Sequence, residues 1–420
     1  MEKQLNFVID FALCTVRGGI KYYMWLTFLG FFIMVGTFTA YRQFSTGIIV
    51  TGVTDQITWE LYMSNFVFMV GVAAAAVTVV FPSYIYKHRH LKELYVVGEI
   101  LAICAVPMSI LFIVFHMGRP DKLWHIIPII GYFNFPHSML NWDVIALNGY
   151  LFINVIGAFY YLYKRYTGHP LNNTFYMPLI YLSIIWAPLI HILTAFILTT
   201  LSPMHLWGTS SLPIRFLATA FAAGPSLIIL ILLIVRKNTK LFVHDKAIDF
   251  LAQLVVWCLG ITILLTVSEA VTELYARTGH ADSLKYLMFG EHGLHKFVPW
   301  FWSSIVLIVG AFVMLLIPGI RKEHRFFLPL ACAMTFVGTW IEKGMTLVLP
   351  GFIPTPLGEY VEYFPTWTEI VNCIFIWALG FFVFTLLLKG AIGIITGEVR
   401  HQDHPGGDEV SGVAEQEIHA

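Results

Sequence analysis

Two residues in this chain have the types and spacing to handle protons inside a bilayer. His116 closes a long apolar run, and Asp143 enters the next one through Asn141 and Trp142, with a polar, proline-containing loop between them. Burying an ionisable side chain at membrane depth is costly, so its presence there points to function. An imidazole titrates near neutral pH, and a carboxylate can orient it or relay its proton. A quinol gives up two protons with its two electrons and needs an apolar slot with acceptors for its hydroxyl protons; His116 and Asp143 are the catalytic candidates for that role. Solvated helix ends, with Asp143 as the N-cap of the following helix, satisfy the same spacing.

Other ionisable residues fall inside apolar runs: His191, Glu269, Glu273, Glu342, Lys343 and Glu99. They are the candidates for a proton path. Glu342 and Lys343 are neighbours, so on a helix they point about 100° apart and each needs a partner elsewhere. Glu269 or Glu273 is expected to pair with Lys343, as a structural ion pair or as part of a proton route. His191, flanked by Ile190, Ile192 and Leu193, reads as a hydrogen-bonded core histidine more readily than as a ligand. Glu99 fits a half-channel from the opposite face, or a helix-end carboxylate.

The elements that position these residues follow from composition. The 420 residues are 58% hydrophobic and 12% charged, with zero formal net charge and a mean hydropathy of +0.76. Soluble domains carry about 25% charged residues. The fold class is therefore an all-α, polytopic membrane protein. No basic face suggests nucleic acid. A hydrocarbon core takes about 20 apolar helical residues to cross, and ten such spans are placed at 20–41, 60–82, 94–116, 143–163, 175–199, 213–235, 248–274, 298–317, 327–349 and 369–388. Residues 1–18 read as an interfacial helix, without a removable signal peptide. Residues 389–420 read as a disordered tail.

The five cysteines form no CxxC pattern, which argues against covalent haem c and a chain-bound iron–sulfur cluster. No metal site is expected. Seventeen of the 25 Lys and Arg residues flank one side of the spans and seven the other, with Lys343 inside a span. The richer side is expected to be cytoplasmic, with both termini, in the cell membrane. The longer opposite loops, 117–142, 200–212, 275–297 and 350–368, are the expected docking face for another subunit. By this orientation, all the ionisable candidates except Glu99 gather in the outer half of the membrane.

Small residues recur at Gly71 and Ala73–Ala76 in span two and at Ala218, Ala220, Ala222, Ala223 and Gly224 in span six, where they permit close helix approach. Spans two to five and six to nine accordingly read as two related four-helix bundles. The organisation expected is an N-terminal segment (1–18), a first span with its external loop (19–59), a first bundle holding the quinol site (60–199), a second bundle (200–349), a last loop and span (350–388) and the tail (389–420).

The run HMGRPDKLWHIIP (His116–Pro128) and the later NWDVIALNGY (Asn141–Tyr150) resemble the NrfD/PsrC family of quinone-interacting membrane subunits. Further matches are GVAAAA (Gly71–Ala76), His191, SPMHLWGTSSLP (Ser202–Pro213), WIEKG (Trp340–Gly344) and YFPTW (Tyr363–Trp367). Within the family the chain is most similar to the DsrP branch, linked to dissimilatory sulfite reduction, and to HmcC-type subunits. The resemblance implies a subunit with no redox cofactor of its own, neither haem nor iron–sulfur cluster. It would bind menaquinol near the outer face and exchange electrons with an extracytoplasmic iron–sulfur subunit. A multihaem cytochrome c, a membrane cytochrome b and a cytoplasmic iron–sulfur subunit would be further partners. His116 and Asp143 match the positions that line the quinone pocket in related quinol-oxidising subunits, although many members carry Asp at the first. Trp142 and Arg119 are expected to shape the pocket, and Tyr62 is grouped with them in quinone binding. The direction of electron flow is not fixed by these motifs. A b-haem cytochrome and an ion- or proton-translocating transporter are the competing classes.

Overall fold

The computed structural model describes residues 2–86, 89–91, 94–127, 129–201, 203–276, 279–323 and 325–401. The tail beyond 401 lies outside them, as do Pro128, Ser202 and the flanking cations Lys87, Lys92 and Arg277. The chain is helical almost throughout: α1 (Glu2–Val16), α2 (Ile20–Thr46), α3 (Leu61–Ala74), α4 (Val77–Tyr84), α5 (Tyr95–His116), α6 (Met139–Thr167), α7 (Asn173–Thr199), α8 (Leu212–Asn238), α9 (Asp245–Ala276), α10 (Gly279–Phe289), α11 (Val298–Leu316), α12 (Pro318–Arg321), α13 (Phe327–Lys343) and α14 (Trp367–Ile395). No strand occurs among the described residues. Nine stretches among them are long and apolar enough to cross a membrane, α3 and α4 together forming one. The tenth expected span corresponds to α13, 17 residues long, which continues through a π-helical turn at Gly344–Val348.

All of α3 is buried, as expected of a helix apolar on every side. Around it pack α5, α7 and α8. The elements α3 to α7 form one cluster, and α8, α9, α11 and α13 a second that meets it through α3 and α7. Helix α14 lies along α2 and α5, and α1 packs on α14. Span two is interrupted at Ala75–Ala76, where the backbone N–H groups reach back three residues rather than four. The break sits at a close helix approach. A Cβ on Gly224 of α8 would fall 1.7 Å from the Ala75 Cβ, and one on Gly98 of α5 would meet the Ala76 carbonyl at 3.3 Å. The small residues of both runs thus let three backbones converge.

Two expectations about boundaries are corrected. Helix α6 begins four residues before Asp143, with Ser138 at the N-cap position, so Asp143 is not a cap; it lies inside the helix and faces the protein interior. The chain does not lose its order at 389 either. Helix α14 runs on to Ile395, and residues 397–401 fold back on α6, where the His401 N–H donates to the Tyr166 carbonyl.

Candidate functional site

Helix α5 ends at His116, and the turn is held by Gln43 of α2, whose side-chain amide donates to the Phe115 carbonyl at 2.7 Å. The Gln43 carbonyl oxygen accepts from the Tyr62 hydroxyl at 2.7 Å and from Asn372 at 2.8 Å. His116 thus emerges from a backbone braced by three buried polar side chains. Its Nδ1 lies 2.9 Å from both carboxylate oxygens of Glu60, a residue only 1% exposed at the N-cap position of α3. A second buried carboxylate, Glu369, stands at the same helix start. It accepts from the Gly52 N–H at 2.5 Å, the Leu61 N–H at 3.4 Å and the Tyr363 hydroxyl, and it completes a capping box with Thr366. Helix N-termini favour such anions.

Asp143 is fully buried. Its Oδ1 is 2.8 Å from the Thr194 hydroxyl of α7, and its Oδ2 has no partner among the described residues. The carboxylate that engages His116 is therefore Glu60 rather than Asp143. One turn before Thr194 stands His191, whose Nε2 lies 2.6 Å from Lys343 Nζ. Lys343 also donates to the Phe216 carbonyl at 3.2 Å. The expected pairing of Lys343 with Glu269 or Glu273 does not form: those acids flank Arg215 of α8. Arg215 bridges Glu342, through Nε at 2.7 Å, and Glu269. Because Glu342 and Lys343 diverge on their helix, one serves the Arg215 cluster and the other reaches His191. A line of polar groups thus crosses from Asp143 and Thr194, through His191 and Lys343, to Glu342, Arg215 and Glu269.

Six buried side-chain atoms have no hydrogen-bond partner among the described residues, and they belong to Glu99, Asp143, His191, Glu269, Glu273 and Glu342. All six residues are candidates from the sequence. Buried polar atoms are normally satisfied, so these six positions stand out from the rest of the described interior. Glu99 stands apart from the others, within α5. Arg119 is exposed and forms a two-pronged pair with Asp121 at 2.9 Å. Trp142 is partly exposed and donates its indole N–H to the Pro136 carbonyl. Sequence reasoning misses Glu60, Gln43, Glu369 and Arg215. Glu60 and Glu369 open their spans, where an acid is unremarkable, and Arg215 reads as one of the flanking cations.

Beside the start of α3 lies a cavity of about 420 Å³, walled by Trp300, Trp340 and Trp377 and reached by Leu61, Asn65 and Tyr363; neither His116 nor Asp143 lines it. Asn65 accepts both the Trp340 and the Trp377 indole N–H.

The fold and these buried polar groups define an integral, multi-pass helical membrane protein. The chain belongs to the polysulphide reductase NrfD family, whose profile matches residues 49–354. It is 22% identical to the menaquinone reductase integral membrane subunit of Nitratidesulfovibrio vulgaris, over 88% of this chain and 92% of that one. It is 20% identical to the Hdr-like menaquinol oxidoreductase integral membrane subunit of Archaeoglobus fulgidus, over 83% and 89%, and 20% identical to a selenate reductase subunit of Mesobacillus selenatarsenatis, over 79% and 82%.

Proposed function

We propose that this chain is the menaquinol-binding membrane subunit of a respiratory oxidoreductase complex, with the reacting hydroxyls received at His116 and Asp143. The observation that carries this reading is the His116–Glu60 pair. With Nδ1–H directed at the Glu60 carboxylate, Nε2 is left as the acceptor of a hydroxyl proton, and the buried carboxylate stabilises the imidazolium that results. Asp143, with Oδ2 free, takes the second proton or relays it along α7 towards His191 and Lys343. Tyr62, Trp142 and Arg119 frame the approach.

The excess of Lys and Arg in the opposite flanks supports a topology with the His116 end on the outer face of the cell membrane and both termini in the cytoplasm. Electrons then pass to an extracytoplasmic iron–sulfur subunit docked on the long loops. The relatives named for menaquinone or menaquinol support the carrier, and the motif resemblance supports a DsrP-type complex. The line from Asp143 to Glu269 joins two related helical clusters and provides for coupled proton movement. In the assembled complex, His116→Ala and Asp143→Asn should each abolish menaquinol-dependent electron transfer while the complex still forms. Wild-type rates in both would defeat the assignment.

The aromatic cavity favours a second reading, in which the quinol ring sits among Trp340, Trp377 and Tyr363, beside Asn65. A photoreactive quinone labelling peptides that contain Trp340 or Trp377, with His116→Ala unimpaired, would support that site instead.

A further inference from the structure

At the end of the molecule remote from His116, helices α6 and α14 finish side by side, and each chain turns through a glycine in the left-handed region: Gly168 at φ 69° and Gly397 at φ 73°. Between the two turns lies a cavity of about 310 Å³. Its mouth carries Lys164, Arg165 and Arg400, with His169 beside them, and its floor is Ile394 and Ile395; no carboxylate lines it among the described residues. The fold-back of residues 397–401 puts Arg400 in place. The left-handed φ at Gly397 favours glycine there, and the Arg400 side chain lies across the turn, 2.1 Å from where a Cβ would stand.

Neighbouring acids are engaged elsewhere. Glu398 pairs with Lys240 at 2.9 Å, and Asp10 accepts from the Tyr166 hydroxyl at 2.5 Å. Two helix C-termini meet here, and basic side chains in a last turn commonly complement them. Lys164 and Arg165 meet that description on α6. Arg400 does not, since it arrives from beyond α14, and a dipole complement does not require a recess.

We propose that this cavity binds a phosphate-bearing anion, with Arg165 and Arg400 on the phosphate oxygens, Lys164 adding charge, and Ile394 and Ile395 against an apolar portion of the ligand. Basic recesses between membrane helices are suited to anionic headgroups, and guanidinium forks match phosphate oxygens. A phospholipid headgroup and free phosphate share this chemistry.

The test uses the whole complex purified in detergent. Native mass spectrometry would follow retained lipid after exchange with vesicles of phosphatidylglycerol or of phosphatidylcholine; a parallel arm would follow thermal stabilisation by inorganic phosphate alone. The wild type should retain phosphatidylglycerol selectively. Arg165→Gln with Arg400→Gln should lower retention about fivefold per charge, roughly 25-fold together. Should the double variant fail to assemble, Arg400→Gln alone, at an exposed position, should still lose about fivefold. Stabilisation by inorganic phosphate with the same variant dependence would support the site and identify the soluble anion as its source. Lys237→Gln, which removes a nearby flanking charge outside the cavity, should change nothing. An equal loss in Lys237→Gln, or wild-type retention without the two arginines, would overturn the proposal.

Discussion

The contact between Glu60 and His116 makes a quantitative demand on the proposed quinol reaction. Glu60→Gln keeps the size of the side chain and an oxygen acceptor for His116 Nδ1 while it removes the charge. A hydrogen bond to a charged group contributes about 1.5–3 kcal/mol. Glu60 is almost fully buried and His116 three-quarters so, so solvent screening leaves most of that range intact. In the proposed reaction the contact is worth most when His116 carries the accepted proton, and so the loss falls on the reacting state. Converted at about 1.4 kcal/mol per tenfold, kcat should fall roughly 10- to 150-fold, with a much smaller change in KM. Steady-state oxidation of a soluble menaquinol analogue by the assembled complex, with an artificial acceptor, measures both constants. His116→Ala sets the floor, and the double variant Glu60→Gln/His116→Ala should be no slower than His116→Ala alone, because the two act as one unit. A full rate in Glu60→Gln beside a dead His116→Ala would show that the carboxylate does not support the imidazole. Multiplicative losses in the double variant would show that the two residues act separately.

Two further predictions concern the scaffold. Arg215→Gln leaves Glu342 and Glu269 without their shared cation and should destabilise the chain by about 3–5 kcal/mol, read as a lower midpoint in thermal unfolding in detergent; adding Glu342→Gln and Glu269→Gln should recover much of it, and no recovery would mean that the charges are not what the arginine balances. Gly224→Val forces two branches into the space held by Ala75 and should cost about 1–3 kcal/mol, with Ala75→Gly as partial rescue; unchanged stability would show that α8 and the break in span two are free to separate.

The membrane spans are legible in the sequence because their signal is local: about 20 apolar residues bounded by polar ones need no knowledge of neighbours. His116 and Asp143 stand out for the same reason, as costly groups at the edges of such runs. Partnership is not legible. Whether Lys343 meets Glu269 or His191 depends on how α7, α8, α9 and α13 rotate against each other, and the spacing along each helix fixes only which residues diverge. Arg215 illustrates the limit from the other side. Three residues into α8, it looks like a flanking cation, and only the packing of α9 and α13 encloses it. Glu60 and Glu369 each precede an apolar run and resemble any loop acid, until the loop carrying Gly52 and the end of α5 close over them. The last turn of α14 and the fold-back at 397–401 escape a sequence reading because glycine-rich, polar composition is shared by disordered tails and by tightly turned ones.

Two of the three side chains that brace the His116 turn lie outside the stretch that the family profile matches: Gln43 before residue 49 and Asn372 after residue 354. Glu369, which accepts from the start of α3, lies beyond it as well. A minimal chain cut to the matched region would keep His116, its partner Glu60 and the separate Asp143 yet lose these supports. Chimeras that exchange only the first and last membrane crossings between relatives therefore offer a way to retune the reacting centre without touching a reacting residue.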